Sequence, residues 1–307
     1  MIRDILRAVL EVRPSWQRER ATWPHAEHSS FIARGSIYWH VQMMGNGPTL
    51  LLVHGTGAST HSFRALMPLL AHHFTVVAVD LPGHAFSQII SDGFVPSLAG
   101  TATALADLLR ALKLSPRVCV GHSAGAAVIA QMAIDHQIAP ELIVGLGAAL
   151  LPIRGVAAHL ASPTARALSR SLVAAPLIAS KARDNGTIER MLQSVGSSLD
   201  AQGVALYRRL ATYPGHVAAV LAMLSSWDLS ALFAELPHIA TRFLLLAGAD
   251  DAAVPLTQQH EIAARMPFAE LVVIEGAGHL LHEEQPERVA EMIVNAMAVN
   301  APLAAAR

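Results

Sequence analysis

The chain of 307 residues contains one cysteine, Cys119, and only 15% charged residues. A single cysteine excludes an intramolecular disulfide framework and a multi-cysteine zinc site. The net charge is −1, so no global basic field exists to hold nucleic acid. A run of about 20 apolar residues, which a spanning helix needs, is also missing. The most apolar stretch, residues 118–134, is interrupted by Gly121, His122, Ser123, Gly125 and Gln131. The first residues, MIRDILRAVLEV, carry charges where an export signal needs an unbroken apolar region, so the chain is read as cytoplasmic. Apolar residues, by contrast, are abundant. Hydrophobic residues make up 53%, above the usual level of about 45–50%. That excludes a disordered chain and leaves two readings: an apolar enzyme, or a protein that meets a membrane or a greasy ligand.

Residues 2–12 place Ile2, Ile5, Leu6, Val9 and Leu10 at helical spacing, with Arg3, Asp4, Arg7 and Glu11 opposite. The short length and mixed charges favour a helix docked on its own domain or a loosely ordered extension. Peripheral membrane contact through the same residues is the competing reading. From residue 31 onward, short apolar runs alternate with helical stretches. Residues 37–44, 49–53, 75–79, 117–120, 142–146, 243–246 and 271–274 read as strands. Residues 64–71, 98–112, 124–135, 257–265 and 287–298 read as helices. This alternation implies an α/β fold with a doubly wound, mostly parallel sheet, whose chemistry sits at the carboxyl ends of the strands. Residues 151–235 break the rhythm; they are rich in Ala, Leu and Ser, slightly basic, and read as a helical insertion over that end. Residues 302–307 read as a frayed tail.

Gly121-His122-Ser123-Ala124-Gly125 fits G-x-S-x-G and lies between a predicted strand and a predicted helix. That is the setting of a nucleophile elbow, in which serine occupies a strained turn and the glycines prevent crowding. A serine hydroxyl needs a base, and the base needs an orienting carboxylate. The order for this architecture is serine, acid, histidine. Asp250 and Asp251 follow one predicted strand, and His279 follows the last. Local chemistry leaves the choice of aspartate open. His54-Gly55-Thr56-Gly57 follows another strand and suits an oxyanion loop, with the N–H groups of Thr56 and Ala124 as donors. No phosphate-binding glycine motif and no H-E-x-x-H metal motif is present, so no cofactor and no metal is expected. His282, Glu283 and Glu284 read as the start of a surface turn before Pro286. His122 reads as a packing or hydrogen-bonding residue, His216 as a weak candidate for ligand contact, and Cys119 as an inert buried thiol.

With these motifs, the chain resembles the α/β-hydrolase superfamily over about residues 31–300. A narrower resemblance lies in WHVQ, GPTLLLVHGTGASTHSFR, GHSAGAA, GAALLPIRG, SSWDL and HLLHEEQPE. Together these are similar to the magnesium-chelatase accessory hydrolases of bacteriochlorophyll-making bacteria. The resemblance implies an eight-stranded sheet, a core of residues 31–150 and 236–307, a cap of residues 151–235, and an extension of residues 1–30. Related hydrolases carry Gly-x-x-Asp-x-x-Val-Pro, matched by Gly248, Asp251, Val254 and Pro255, which implies Asp251 as the acid. The implied catalytic set is therefore Ser123, Asp251 and His279. The chain departs from the family in DLPGHAFS, where a glycine is usual at Ala85. Haloalkane dehalogenases and epoxide hydrolases of this fold use an aspartate nucleophile, and position 123 is serine.

Three functions compete. The first is a serine hydrolase acting on an ester or similar acyl bond of an apolar substrate. The second is a non-catalytic accessory that binds a tetrapyrrole and, by resemblance, meets magnesium-chelatase subunits. The third is a carbon–carbon bond hydrolase or general esterase on the same triad. A fold alone does not separate them.

Overall fold

Five of the strand runs have apolar residues at nearly every position, because both faces of their sheet are covered. A computed structural model describes residues 8–152 and 173–298. Its strands are β1 (Ser29–Arg34), β2 (Ile37–Met44), β3 (Thr49–Val53), β4 (Thr75–Val79), β5 (Gln88–Ile89), β6 (Val118–His122), β7 (Leu142–Leu146), β8 (Arg242–Gly248) and β9 (Ala269–Ile274). They form a nine-stranded sheet. Its main path runs β1-β2-β4-β3-β6-β7-β8-β9, the eight strands expected, and the two-residue β5 pairs with β2. The path is parallel from β4 to β9 and antiparallel at β1 and β2.

Successive side chains in a strand point to opposite faces. Leu51, Val53, Val77, Val79, Cys119 and Ile143 accordingly enter one core. Leu50, Leu52, Val76, Ala78, Val118 and Val144 enter the other. The first core is closed by α3 (Leu98–Ala111), α4 (Ala124–Ile134) and α10 (Leu256–Arg265). The second is closed by α2 (Leu66–Ala71) and α12 (Pro286–Ala298). Burial in the first core pushes the Cys119 thiol far up, in keeping with an inert thiol.

Between β7 and β8 the described residues form α5 (Ala174–Lys181), α6 (Thr187–Ser194), α7 (Ala201–Ala211), α8 (Pro214–Ser226) and α9 (Ser230–Glu235). Ala182, Ile188, Leu192 and Tyr207 pack with Ala58 and Leu280, which follow β3 and β9. The insertion thus rests on two of the loops at the carboxyl end of the sheet. Leu232 and Phe233 of α9 already belong to the first core. Among the described residues no single helix is long and apolar enough to cross a membrane.

Part of the expected N-terminal helix, residues 1–7, lies outside the described residues. Residues 8–10 are helical, Leu10 packs against Ala175, Ala179 and Val217, and the Gly215 N–H donates to the Val12 carbonyl at 3.0 Å. The end of the segment is therefore docked on its own chain. A short α1 (Trp16–Glu19) follows. The expected tail at residues 302–307 also lies outside the described residues, as do residues 153–172 of the insertion.

Candidate active site

Strand β6 ends in His122, and Ser123 turns the chain abruptly into α4. Its backbone sits at φ 51 and ψ −116, a left-handed position that costs a serine about 1–3 kcal/mol. The turn is held because the Ser123 N–H donates to the Leu146 carbonyl at 2.9 Å. It also depends on two glycines. A Cβ at Gly121 would lie 2.4 Å from the Ala126 nitrogen, and one at Gly125 would lie 2.1 Å from the Val53 carbonyl oxygen.

Loops after β8 and β9 bring the other groups. The His279 Nδ1 donates to Asp251 Oδ2 at 2.8 Å. Asp251 Oδ1 accepts the N–H groups of Ala253 and Val254, both at 2.8 Å. The carboxylate is thus fixed on both oxygens, and its histidine bond selects the tautomer with an open Nε2. Asp250, the alternative acid, has an exposed side chain, and its backbone N–H donates to the Ala277 carbonyl at 2.9 Å.

Ser123 and His279 line one cavity of about 480 Å³, together with Thr56 and Ala124. Its remaining wall is mostly apolar: Leu151, Met223, Leu224, Trp227 and Val254 among others. Three of these, Met223, Leu224 and Trp227, come from or adjoin α8 of the insertion.

The loop carrying Thr56 is fixed by imidazoles. The Leu81 N–H donates to His54 Nε2 at 2.9 Å, so His54 Nδ1 carries the proton and donates to the Gly55 carbonyl at 2.7 Å. Carbonyl and N–H of one trans peptide point in opposite directions. Anchoring the Gly55 oxygen therefore sets the direction of the Thr56 N–H. His216 bridges from α8 in the same way. It accepts the Ala85 N–H on Nδ1 at 3.0 Å and donates from Nε2 to the Gly57 carbonyl at 3.2 Å. Burial lowers His54, and lowers His216 to about 4, which keeps both neutral. The departure at Ala85 falls at φ 41, in the region where glycine is the usual residue.

His122 also serves the site: its Nε2 donates to the His279 carbonyl at 3.0 Å. His282 and Glu283 correct the sequence reading, for both are buried rather than part of a surface turn. Both belong to α11 (Leu281–Glu284). His282 Nε2 donates to Ser62 Oγ at 2.9 Å. Glu283 accepts Ser62 Oγ at 2.6 Å and the Tyr207 hydroxyl at 2.7 Å, and it pairs with Arg64. Leu281 of α11 enters the second core, and His282 and Glu283 on the same short helix are carried inward with it. One signal existed in the sequence: Leu280-Leu281 directly precedes this group and has to be buried.

A family model described as the alpha/beta hydrolase family matches residues 50–292. A relative from Rhodobacter capsulatus, the magnesium-chelatase 30 kDa subunit, is 37% identical over 277 residues, covering 90% of this chain and 96% of its own. The pimeloyl-[acyl-carrier protein] methyl ester esterase of Xanthomonas campestris pv. campestris (strain B100) is 31% identical over 263 residues, covering 83% and 96%. Among solved structures, a thermophilic esterase from Thermogutta terrifontis superposes with a TM-score of 0.68 at 26% identity, covering 88% of this chain and 98% of its own. The resemblance carried by HGTGASTHSFR and GHSAGAA is borne out by these relatives.

Proposed function

Because the chain belongs to the alpha/beta hydrolase family, we propose that it is a serine hydrolase acting on an ester or related acyl bond of an apolar substrate. Ser123 is the nucleophile, His279 the base and Asp251 the residue that orients it. The Thr56 and Ala124 N–H groups form the oxyanion hole, and residues 151–235 form the cap. The observation that carries this reading is the 2.8 Å bond from His279 to Asp251 beside a cavity that Ser123 shares.

In the first half-reaction, Ser123 Oγ attacks the carbonyl carbon and its proton passes to His279 Nε2. Negative charge collects on the former carbonyl oxygen, where the two N–H groups and the start of α4 stabilise it. The intermediate collapses, the C–O bond to the alcohol breaks, and the alcohol leaves with the proton from His279. Water then attacks the acyl-serine with His279 as base, releasing the acid and restoring Ser123. The Asp251 carboxylate stays ionised and balances the transient imidazolium.

Apolar lining supports an uncharged acyl group, and a cavity of about 480 Å³ falls among pockets for small organic ligands. The test is Ser123→Ala, assayed with p-nitrophenyl butyrate. The expected loss is about 10⁴-fold or more in kcat, with the circular dichroism spectrum unchanged. A variant as active as the parent would overturn the assignment.

A second reading is favoured by the Rhodobacter capsulatus relative, whose name ties it to magnesium chelatase. In it the chain is an accessory of that enzyme and its cavity receives a tetrapyrrole. Titration with protoporphyrin IX separates the two. A bound porphyrin whose affinity ignores Ser123→Ala, with no ester turnover, supports the accessory role.

A further inference from the structure

The turn at residues 195–198 joins α6 to α7 inside the insertion, yet its hydrogen bonds go to the sheet loops. The Val195 carbonyl accepts two N–H groups at 3.3 Å, one from Ala252 and one from His279. A single oxygen thus ties the loop of Asp251 to the loop of His279. Ser197 Oγ, itself buried, accepts the Leu280 N–H at 2.8 Å and donates to Glu284 Oε2 at 3.3 Å. Glu284 Oε2 accepts the Gly278 N–H at 2.9 Å, and Oε1 accepts the Ser198 N–H at 2.8 Å. Three consecutive N–H groups, of Gly278, His279 and Leu280, are therefore held by the turn or by the carboxylate bound to it.

Backbone distances require this contact to be made by glycines. Gly196 has φ +80, and a Cβ there would lie 1.8 Å from the Asp250 carbonyl oxygen. A Cβ at Gly278 would lie 2.1 Å from the Gly196 carbonyl oxygen. The two loops and the turn are stacked main chain against main chain, with no room for a side chain between them.

We infer that the turn at residues 195–198 is a positioning element for the Asp251–His279 pair, so that the insertion sets the geometry of the base as well as covering the cavity. This rests on the reading of Asp251 and His279 as acid and base. Residues 195–198 do not line the cavity shared by Ser123 and His279. The turn acts by fixing the backbone on both sides of one hydrogen bond. A displacement of about 1 Å at a catalytic group costs about 100-fold in rate, so a modest loosening is measurable.

The variants are Ser197→Ala, which removes one oxygen, and Gly196→Ala, which forces the stacked chains apart. Two readouts apply to the full chain: steady-state kinetics with p-nitrophenyl butyrate, and the low-field proton resonance of His279 Nδ1–H, assigned by its loss in Asp251→Asn. Ser197→Ala is expected to lower kcat about tenfold and Gly196→Ala about 100-fold, with KM within about twofold, and both shift or broaden the resonance. Should Gly196→Ala fail to fold, Ser197→Ala carries the test. A folded Ser197→Ala with parental kcat and an unmoved resonance overturns the inference. A parent protein with no esterase activity sinks the functional reading instead, and the resonance alone then decides whether the turn holds the pair.

Discussion

Among the described residues two Ser–His–Asp trios occur, and beyond a 2.8 Å histidine–aspartate bond in each they share little. In one, His279 Nδ1 donates to Asp251 at 2.8 Å and His279 shares a cavity with Ser123. In the other, His40 Nδ1 donates to Asp80 Oδ2 at 2.8 Å, and His40 Nε2 lies 3.0 Å from Ser29 Oγ. The side chains of His40 and Asp80 are both 0% exposed, and Trp16, Phe31 and Phe86 stand against the His40 ring at centroid distances of 5.2, 5.1 and 5.2 Å. Ser29 lies in regular strand register opposite Gln42, whose amide donates to its Oγ at 3.2 Å. Ser123 instead occupies a strained turn facing open space. On the proposed reading the same three residue types tie strands together in one place and attack a carbonyl in the other. What separates the two serines is that Ser123 is held out of regular structure beside a cavity, while Ser29 is not.

Replacing the two aspartates by asparagine is the sharpest way to break the comparison. Asp251→Asn is expected to lower kcat about 10⁴-fold by letting His279 take the wrong tautomer, with little effect on melting temperature. Asp80→Asn is expected to cost about 3–5 kcal/mol of stability, because it leaves a buried histidine without its partner, while the folded fraction keeps most of its kcat. Urea denaturation and p-nitrophenyl butyrate kinetics on both variants check this. Similar effects from the two would erase the distinction.

Acid tests the buried His40–Asp80 pair next. Burial alone would raise Asp80, but the His40 ring and the Thr60 N–H outweigh it and hold the carboxyl at about 2, below its ordinary 3.8. A depressed carboxyl stabilises the fold above its unfolded value, and that contribution is lost as pH falls from about 3.8 toward 2. Linkage puts the loss at about 2 kcal/mol. An earlier loss comes from the buried histidines. Burial lowers His216 to about 4 and His282 to about 3, so below pH 6.5 the unfolded chain takes up protons that the folded one refuses. Melting temperature is expected to fall steadily between pH 6.5 and 4, then further below 4. A flat profile across the first window contradicts the neutral, buried assignment.

Much of this was readable from residue order. The strand runs and the turn at residues 121–125 rest on local chemistry, whereas the choice of Asp251 over Asp250 came from the resemblance to related hydrolases. Strand β1 was not read, because Ser29–Arg34 is half exposed at the sheet edge and lacks an apolar run. The buried histidines were also invisible as a group. His54, His122, His216 and His282 are spread along the chain, and the burial that keeps them uncharged exists only after the sheet and insertion have met. The second trio escaped for the same reason: Ser29 lies on β1, His40 on β2 and Asp80 just after β4, and no motif spans them. Long-range assembly, rather than local propensity, decides such features.

Smaller effects test the boundary between the trios. Ser29→Ala is expected to leave kcat within about twofold, since its oxygen only bridges His40 and Gln42. Ala85→Gly, near Asp80, relieves a left-handed alanine but gives up a buried methyl. Each is worth about 1 kcal/mol, so the net change in stability is expected within about 0.5 kcal/mol.

The most direct measurement is labelling of the full chain with a fluorophosphonate, followed by mass spectrometric mapping of the adduct. One adduct is expected, on Ser123, abolished in Ser123→Ala and strongly slowed in Asp251→Asn. No adduct at all, or an adduct on Ser29, would contradict it.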